Sequence, residues 1–441
     1  MSSIATEAAN SSAEAKPTPI RSPRERIVAV VGLGYVGLPT ALALFKRGEG
    51  VLGFDVDETR LARIQNEDVD LANHDRANLR LALQDRRFLL TSREEDLEFA
   101  DAVIVAVPTP VDANLVPDLT FIRSACATVV RHARPGQVIV LTSTSYVGST
   151  ADLLARPLEE RGWKLGRDVF VAFSPERINP GEQAVPQGDV PRVVGGVTEE
   201  CGRRAAEVLA GTAAFLHHVS SPEAAELTKL HENTFRAVNI ALANEVADIS
   251  RAFGLDVMEV IAAAATKPYG FVPFYPGPGV GGHCIPCDPH YLLWQLRSGH
   301  TSAPLVSRAM ESIAARPFVV SARCAEVLAS AGRPVAGSKV LVVGVAYKPG
   351  VADFRESPAL RIISDLQRQG AQISYFDPLV PSIRLQGGGS LRSLAETDLR
   401  PCDMVLLHTL HPGMDWRPFA RLGPVLDTTF HAGRNEGVSR L

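Results

Sequence analysis

Short continuous apolar runs, each followed by a polar or proline-marked loop, recur through the first part of the chain. They lie at 27–31, 51–54, 102–107, 137–141 and 169–172. Strands that are buried on both faces of a parallel sheet have this pattern, whereas half-exposed strands alternate apolar and polar residues. The spacing therefore predicts an open α/β sheet. Ligands bind at the carboxyl ends of such strands, so segments 107–110, 141–145 and 173–181 are expected to face one crevice.

The pattern changes at Ser221, which can cap a helix and is followed by Pro222, a residue suited to a first helical turn. Neither Gly nor Pro then occurs before Gly254. These features predict a helix of about 30 residues and roughly 45 Å. A helix of this length between two sheet-forming regions is typical of a central connection and of a dimer surface.

A second α/β unit follows, with strands at 340–343, 373–376 and 404–407 and a helix at 357–368. Its strand ending at Asp377 resembles the earlier strand ending at Asp55, but Gly344 lacks companion glycines. We therefore expect this unit to bind something other than a dinucleotide. The predicted fold class is α/β, with two Rossmann-like doubly wound domains joined by a long central helix.

The first strand runs directly into Gly32, Gly34 and Gly37. In this motif the first glycine permits a tight turn, the second lets a pyrophosphate approach the backbone, and the third lets the helix pack on the strand. Asp55 ends the second strand at the distance where an acidic residue binds the ribose hydroxyls of NAD, and it would repel the extra phosphate of NADP. The context favours an NAD site over a structural glycine turn. Arg60 fits adenine stacking and a solvated helix face equally.

The composition is that of a globular protein with two or three domains: 441 residues, of which 46% are hydrophobic and 21% charged. A net charge of −4 provides no basic surface for nucleic acid, and no apolar run is long enough to span a membrane. Six scattered cysteines suit a reducing compartment, so we expect a cytoplasmic protein. Residues 1–25 are rich in Ser, Ala, Thr and Glu, which predicts a disordered tail.

The stretch 274–292 places Cys284 among turn-forming residues, directly after Gly281, Gly282 and His283. This composition predicts that a loop presents the thiol to a ligand, although a buried structural cysteine fits the stretch alone equally well. The segment also offers zinc-ligating side chains, namely His283, Cys284, Cys287, Asp288 and His290. No second Cys pair supports a metal site, so none is expected. A redox pair of Cys284 with Cys287 is possible on spacing, but the setting is not strand-to-helix and Cys287 is expected to be a bystander.

Six motifs occur in order over about residues 26–430: GLGYVGLP, VPTP, SPERINPG, KLHEN, GPGVGGHCIPCDP and AYKPGVADFRESPAL. In these the chain resembles the UDP-glucose/GDP-mannose dehydrogenase family, oxidoreductases that convert the C6 alcohol of a nucleotide sugar into a carboxylate using two NAD. The resemblance implies a UDP-sugar substrate and a homodimer formed through the central helix. The implied domains are a tail at 1–25, an NAD-binding Rossmann domain at 26–220, a central helical domain at 221–318 and a UDP-sugar-binding Rossmann-like domain at 319–441.

The resemblance also assigns roles to residues. Cys284 would be the nucleophile, Lys229 and Asn233 would stabilise an oxyanion, and Asp288 would assist proton transfer, while Glu176 would act as the hydrolytic base beside Thr144. The implied cofactor contacts are Gly32, Gly34, Tyr35, Val36, Gly37, Asp55, Arg60, Pro108, Thr109, Thr144 and Arg355. The implied substrate contacts are Glu176, Arg177, Lys229, Asn233, Lys267, Tyr269, Phe274, Tyr275, Gly277 and Lys348.

The spacing of these residues by itself supports their catalytic roles less strongly than the resemblance does. Lys229 and Asn233 share a helix face at i and i+4, which a solvated lysine also satisfies, and Glu176 with Arg177 can be a simple ion pair on a loop.

The loop after Glu176 reads Arg177, Ile178, Asn179, Pro180, and it resembles the UDP-N-acetylhexosamine branch of the family, in particular UDP-N-acetylglucosamine 6-dehydrogenases. Arg177 and Asn179 would offer donors that an acetamido carbonyl accepts. UDP-glucose is the alternative substrate. A dinucleotide-sensing protein without turnover is the non-enzymatic alternative, but a sensor would need none of the four residues around the thiol.

Overall fold

The computed structural model describes residues 26–69, 71, 73–177, 189–282, 284–385, 388–433 and 437–441. The predicted tail at 1–25 lies outside these residues, and so do Ile178, Asn179, Pro180 and His283.

The helices are α1 (Gly37–Lys46), α2 (Glu58–Gln65), α3 (Asn73–Leu83), α4 (Thr120–Arg131), α5 (Arg156–Glu160), α6 (Glu199–Leu209), α7 (Pro222–Ala252), α8 (Val257–Ala265), α9 (Cys284–Ser298), α10 (Pro304–Ser330) and α11 (Pro358–Arg368). The strands are β1 (Ile27–Val31), β2 (Gly50–Phe54), β3 (Phe88–Thr91), β4 (Ala102–Val105), β5 (Val138–Leu141), β6 (Phe170–Phe173), β7 (Arg192–Gly196), β8 (Leu216–Val219), β9 (Lys339–Val343), β10 (Gln372–Phe376), β11 (Ser382–Arg384), β12 (Ser390–Arg392), β13 (Met404–Leu407), β14 (Val425–Asp427) and β15 (Val438–Arg440).

The first sheet has the order β3-β2-β1-β4-β5-β6-β7-β8 within the described residues. Its neighbouring strands run parallel except β6 and β7, which are antiparallel. Both faces are covered, because Ala29 and Val31 enter one core while Val28 and Val30 enter another. This explains the continuous apolar runs, and the predicted α/β fold is confirmed. Strand order reverses between β1 and β4, which places the ligand crevice at their carboxyl ends.

The central helix α7 follows the prediction closely. The Ser221 hydroxyl accepts a hydrogen bond from the Ala224 N–H, and Gly254 has φ +68°, a conformation that suits glycine after a helix end. With 31 residues the helix is about 46 Å long. It packs against α9 and α10. Helix α10 runs without interruption through the predicted domain boundary at 318–319 and carries Pro317 in its interior.

The second sheet has the order β10-β9-β13-β14-β15, and its strands are all parallel. Its first turn repeats that of the first sheet: Gly344 has φ +78°, and a Cβ there would lie 1.9 Å from the Thr409 carbonyl oxygen. Strands β11 and β12 form a separate antiparallel pair. Across the described part of the chain, no helix is long and apolar enough to cross a membrane.

Candidate active site

The glycine turn after β1 has the geometry of an anion-binding loop. Gly32 has φ +87°, and a Cβ there would lie 2.7 Å from the Ala106 carbonyl oxygen. A Cβ on Gly37 would come within 1.7 Å of the Gly32 carbonyl oxygen, so α1 can approach β1 only with glycine at 37. At Gly34 no atom lies within 4 Å of the Cβ position. The open side of the loop therefore lies at Gly34, where a pyrophosphate can approach the backbone.

Asp55 is held beside this loop by two backbone donors. Its Oδ2 accepts from the Leu33 N–H at 2.8 Å, and its Oδ1 accepts from the Asp57 N–H at 3.0 Å. Each carboxylate oxygen has a second lone pair, so the group can still accept from a ribose diol. Arg60 Nε donates to the Leu33 carbonyl oxygen at 2.9 Å, which ties this side chain to the loop. Arg60 therefore lies at the cofactor crevice and not on a solvated helix face.

The same carboxylate position in the second unit is already saturated. Asp377 accepts from the backbone N–H groups of Val345, Ala346, Leu379 and Val380, and its Oδ1 lies 3.1 Å from Nε2 of a buried histidine, His411. Asp377 is 2% exposed. A carboxylate bound in this way cannot take up a ribose diol. The structure thus agrees with the prediction that the second unit binds something other than a dinucleotide.

The loops after β4 and β5 are joined by a residue that the sequence did not single out. Ser143 Oγ accepts from the Val107 N–H at 2.8 Å and donates to the Val107 carbonyl oxygen at 2.9 Å. This clamp fixes segment 107–110, in which Thr109 is buried and Pro108 exposed. Thr144 is half-buried beside the clamp. The position of Ser143 just after a strand was the sequence signal for this contact. The sequence does not distinguish Ser143 from the other hydroxyl residues of LTSTS.

Cys284 is the first residue of α9, so the expectation that a loop presents the thiol was wrong in this respect. The irregular segment ends immediately before it. Pro286 falls in the first turn, where a missing N–H costs no hydrogen bond, and this lets a helix begin in a proline-rich stretch. The preceding Gly282 has φ +78°, and a Cβ there would lie 2.8 Å from the Tyr347 ring. The Cys284 side chain itself is exposed.

Helix α7 brings two predicted residues to α9. Asn233 Nδ2 donates to Asp288 Oδ2, and Asp288 lies one helical turn after the cysteine. Asp288 is 2% exposed, and burial raises the pKa of its carboxyl to about 6, against the opposing effects of Lys229 and of the Asn233 hydrogen bond. A carboxyl with this pKa can exchange a proton near neutral pH.

Lys229 joins the same site to the loop after β6. Its Nζ donates to the backbone carbonyl oxygen of Glu176 at 2.8 Å. The Glu176 side chain accepts from the Arg177 N–H at 2.8 Å and lies 3.3 Å from Nη1 of the buried Arg192. Arg192 is a further residue that sequence reasoning missed, because it lies on β7 and is distant in the chain. The Glu176 carboxylate thus lies between the backbone of Arg177 and the guanidinium of Arg192, next to the carbonyl that Lys229 binds.

The acidity of the Cys284 thiol reflects these surroundings. Desolvation raises its pKa most, and the Asp288 charge raises it further. The cations of Lys229, Arg236 and Arg355 act in the opposite direction. The thiol therefore depends on nearby positive charge to become a thiolate, the nucleophilic form.

The second α/β unit reaches the site through segment 345–357. The Gly282 N–H donates to the Arg355 carbonyl oxygen at 3.1 Å, so the chain before the cysteine is fixed to this unit. The Arg355 guanidinium pairs with Asp353 at 2.7 Å and lies 5.6 Å from the centre of the Tyr35 ring. Arg355 thereby links the glycine loop of the first unit to the second unit, and its role as a cofactor contact stays a prediction. Burial lowers the pKa of Lys348, and Arg236 lowers it further.

The remaining predicted substrate contacts are dispersed. The Gly277 N–H donates to Asn244 Oδ1 at 2.9 Å, and the Phe274 ring lies 5.8 Å from that of Phe235. Lys267 Nζ lies 5.1 Å over the Tyr269 ring, which is 72% exposed. Tyr275 is also exposed. These residues lie on a segment that borders an apolar groove formed by α7 and α8.

Arg177 is already engaged within the protein. Its guanidinium donates to the Pro191 carbonyl oxygen at 2.9 Å and to Glu232, and its buried Nε has no partner among the described residues. Arg177 therefore has fewer free donors for an acetamido group than its sequence context suggests. Among the residues described, no three His, Cys, Asp or Glu side chains are grouped so that they could hold a metal ion.

Family models match most of the chain. Residues 26–212 match the NAD binding domain of the UDP-glucose/GDP-mannose dehydrogenase family, residues 223–313 its central domain and residues 341–431 its UDP binding domain. The open glycine loop and the Asp55 carboxylate fit NAD.

Individual relatives agree. The chain is 35% identical to UDP-N-acetyl-D-glucosamine 6-dehydrogenase of Pseudomonas aeruginosa over 80% of this chain and 83% of that protein. It is 37% identical to UDP-N-acetyl-D-mannosamine dehydrogenase of Escherichia coli K12 over 76% and 81%, respectively. The structure of UDP-D-ManNAc dehydrogenase from Pyrococcus horikoshii superposes with a TM-score of 0.85 at 29% identity, covering 94% of this chain and 98% of that one. The chain belongs to the UDP-glucose/GDP-mannose dehydrogenase family, and it is an NAD-dependent UDP-sugar dehydrogenase.

Proposed function

We propose that the protein oxidises the C6 alcohol of UDP-N-acetylglucosamine, or of a closely related UDP-N-acetylhexosamine, to the carboxylate. The observation that carries this reaction is the exposed Cys284 thiol at the start of α9, with Lys229 and the Asn233–Asp288 pair beside it. The first oxidation converts the alcohol to an aldehyde. The thiolate adds to that aldehyde, the second oxidation converts the thiohemiacetal to a thioester, and water releases the acid and the thiol. NAD held at the Gly34 loop and Asp55 would supply the hydride acceptor for both oxidations.

Each neighbouring group has a defined task in this sequence. Lys229 and Asn233 donate to the oxygen that becomes negative when the thiolate adds, and when water attacks the thioester. Asp288 takes up and returns protons near neutral pH. Glu176, whose carboxylate faces Arg192, activates the attacking water with Thr144. These roles follow the family resemblance.

The choice of an N-acetylhexosamine rests on the names of the relatives above 30% identity and on the sequence after Glu176. The relatives from P. aeruginosa and E. coli are named for N-acetylglucosamine and N-acetylmannosamine. Because the terminal nitrogens of Arg177 already bind Glu232 and the Pro191 carbonyl oxygen, the choice of an N-acetylhexosamine depends more on the relatives than on Arg177. UDP-glucose remains the alternative substrate.

A substrate panel tests the proposal. UDP-N-acetylglucosamine, UDP-N-acetylgalactosamine, UDP-N-acetylmannosamine and UDP-glucose are compared by NADH formation, together with the ratio of NADH to sugar acid. We expect two NADH per sugar and at least about tenfold higher kcat/KM for UDP-N-acetylglucosamine than for UDP-glucose, a difference of roughly 1.4 kcal/mol. Cys284→Ser should abolish turnover, whereas Cys287→Ser, a change at a buried thiol, should retain most of it. Better turnover of UDP-glucose would promote the alternative substrate.

We also infer that two copies of the chain pair through α7. Its outer face exposes Phe235, Leu242 and Ile249, and Phe253 at its C-cap is 75% exposed. Together with α8 and the segment 270–274, α7 lines an apolar groove. Burying these side chains would contribute about 25 cal/mol for each Å² removed from water. A second copy presents the same apolar face, as a two-fold pairing requires.

A further inference from the structure

Side chains with polar atoms recur along one side of α9, the helix that begins with the thiol. They occur at intervals of four, three and four residues, in the order Cys284, Asp288, Tyr291 and Gln295. At about 100° per residue, these side chains fall within a sector of about 60°. Tyr291 is fully buried and Gln295 is half-buried. The face that carries the thiol therefore continues to two residues that have no role in the proposed chemistry.

Gln295 holds the loop after β5 through both polar atoms of its amide. Its Oε1 accepts from the Val147 N–H at 2.9 Å, and its Nε2 donates to the Val147 carbonyl oxygen at 2.7 Å. The neighbouring Trp294 ring meets the Tyr146 ring edge to face, with 5.9 Å between the ring centres. This contact fixes the loop three residues after Thr144, which is expected to line the cofactor crevice.

Tyr291 holds the loop after β4. Its phenol donates to the Pro110 carbonyl oxygen at 3.4 Å. Burial raises the pKa of this phenol, and a hydrogen bond with the Thr109 side chain acts in the opposite direction. A buried tyrosine hydroxyl needs polar partners, and both partners here belong to segment 107–110, which faces the crevice at the strand ends.

The two loops are also joined to each other. Ser143, in the loop after β5, binds both backbone groups of Val107, in the loop after β4. Each loop is then bound to α9, one through Tyr291 and the other through Gln295. These three contacts form a closed arrangement, so α9 cannot shift on one loop without disturbing its contact with the other. The middle of α9 is thereby docked on the first domain.

We propose that Tyr291 and Gln295 are positioning residues, which dock α9 on the two loops and thereby set the place of the Cys284 thiol at the cofactor crevice. The inference rests on the proposed function, because it takes Cys284 as the reacting group. At about 1.5 Å per residue the thiol lies about 16 Å along the helix from Gln295, so a tilt of about 4° at that point moves it by about 1 Å. A displacement of about 1 Å can lower a reaction rate on the order of 100-fold.

Kinetics and cofactor binding test this role. Tyr291→Phe removes only the phenol hydroxyl, and Gln295→Met removes both hydrogen bonds to Val147 but keeps a side chain of similar length. We expect each change to lower kcat about tenfold or more, while KM for the UDP-sugar stays within about twofold. The sugar is the one of the panel that the unmodified protein oxidises fastest. The Kd for NAD, measured by calorimetry without a sugar, should also stay within about twofold.

Two control variants separate positioning from stability. Tyr375→Phe removes a buried phenol hydroxyl that donates to the Val380 carbonyl oxygen at 3.0 Å in the second unit. Gln137→Met removes a buried amide that donates to the carbonyl oxygens of Leu97 and Ala100. Each control loses the same kind of contact as its α9 counterpart and should lower the midpoint of urea unfolding comparably. Both controls should nevertheless keep the kcat of the unmodified protein.

Hydrogen–deuterium exchange follows the dock itself. In Gln295→Met, exchange in the segment 146–150 should be faster than in the unmodified protein, because the Val147 N–H has lost its acceptor. Unchanged exchange there would show that the contact is not made and would overturn the proposal.

The remaining outcomes are also decisive. Unchanged kcat in both α9 variants overturns the proposal, even where the urea midpoint falls. A loss of NAD affinity of more than about fivefold also overturns it, because the residues would then act on the cofactor directly. Failure of the proposed function has a different signature, namely turnover retained by Cys284→Ser. The choice of sugar does not enter, since every rate is compared with that of the unmodified protein on the same sugar.

Discussion

At the residue scale, the candidate site is governed by opposing charges within a desolvated crevice. Cys284 must become a thiolate, yet desolvation by the walls of the crevice and the nearby Asp288 both disfavour the charged form. Lys229 opposes them, and Lys229 also donates to the Glu176 carbonyl oxygen, which fixes its position. The site therefore favours the neutral thiol over the thiolate. The sign of each effect can be measured on the thiol itself.

We expect Asp288→Asn to react faster than the unmodified protein with iodoacetamide at Cys284, while it loses turnover. Removing the carboxylate charge lowers the pKa of the thiol, and half to one pH unit raises the thiolate population about three- to tenfold. Because the pKa of Asp288 is about 6, the carboxylate is already protonated well below that pH. The ratio of the two alkylation rates should therefore exceed one above pH 6 and approach one at pH 5.

The alkylation rate is followed by mass spectrometry of the peptide that contains Cys284. Lys229→Met should react more slowly than the unmodified protein, since it removes a cation that favours the thiolate. Asp415→Asn, at an exposed carboxylate far along the chain, provides the control. Slower alkylation of Asp288→Asn at pH 8 would contradict the charge assignment.

At the element scale, α7 is fastened to the first domain by a buried carboxylate. Glu226 is 1% exposed and accepts from the N–H groups of Gly148 and Thr150 and from the hydroxyls of Ser149 and Thr150, at 2.5 to 3.0 Å. Burial raises the pKa of Glu226, and the four hydrogen bonds act against that rise. Since Lys229 lies one turn further along α7, this contact sets the position of the catalytic face relative to Thr144.

Glu226→Gln should lower the midpoint of urea unfolding and reduce turnover. The new amide group would face the Gly148 N–H, which leaves two donors without an acceptor and costs about 1–3 kcal/mol. Glu245→Gln, an exposed position on the same helix, serves as the matched control and should unfold like the unmodified protein. An unchanged midpoint in Glu226→Gln would show that this contact does not stabilise the junction.

At the scale of the whole molecule, both α/β units and two helices of the central region converge on one thiol. The chain before Cys284 bonds the second unit through Gly282, while α7 bonds the first through Glu226. The opposite face of α7 has no such cover within the described residues and exposes large apolar side chains. The dimer proposed above would cover this face.

Light scattering with size exclusion tests the dimer. We expect the protein to have twice the 47.3 kDa chain mass, and the double variant Leu242→Arg, Ile249→Arg to have the chain mass. Each change places a charge in a surface that must lose water on pairing. Phe121→Arg, on α4 and similarly exposed, should remain dimeric. A single chain mass for the unmodified protein would refute the pairing.

The sequence by itself determined the elements whose burial is uniform or whose ends carry local signals. Five of the eight described strands of the first sheet, three of the five described strands of the second and α7 follow from apolar runs, glycine turns and caps, because these signals act between neighbours in the chain. It did not predict β3, β7 or β8, and β7 ends in two glycines, Gly195 and Gly196, which are poor strand formers. They are glycines because a Cβ at either would lie 2.1 Å from Ser221 or Gly202 backbone atoms.

Only the tertiary structure decided how the site is assembled. The pairing of Arg192 with Glu176, the clamp of Ser143 on Val107 and the hydrogen bond from Asn233 to Asp288 all join residues that are far apart in the chain. Such contacts depend on strand order and on the packing of α7 against α9, neither of which is encoded in local spacing. For the same reason, Cys284 begins a helix that its own turn-forming neighbours did not indicate.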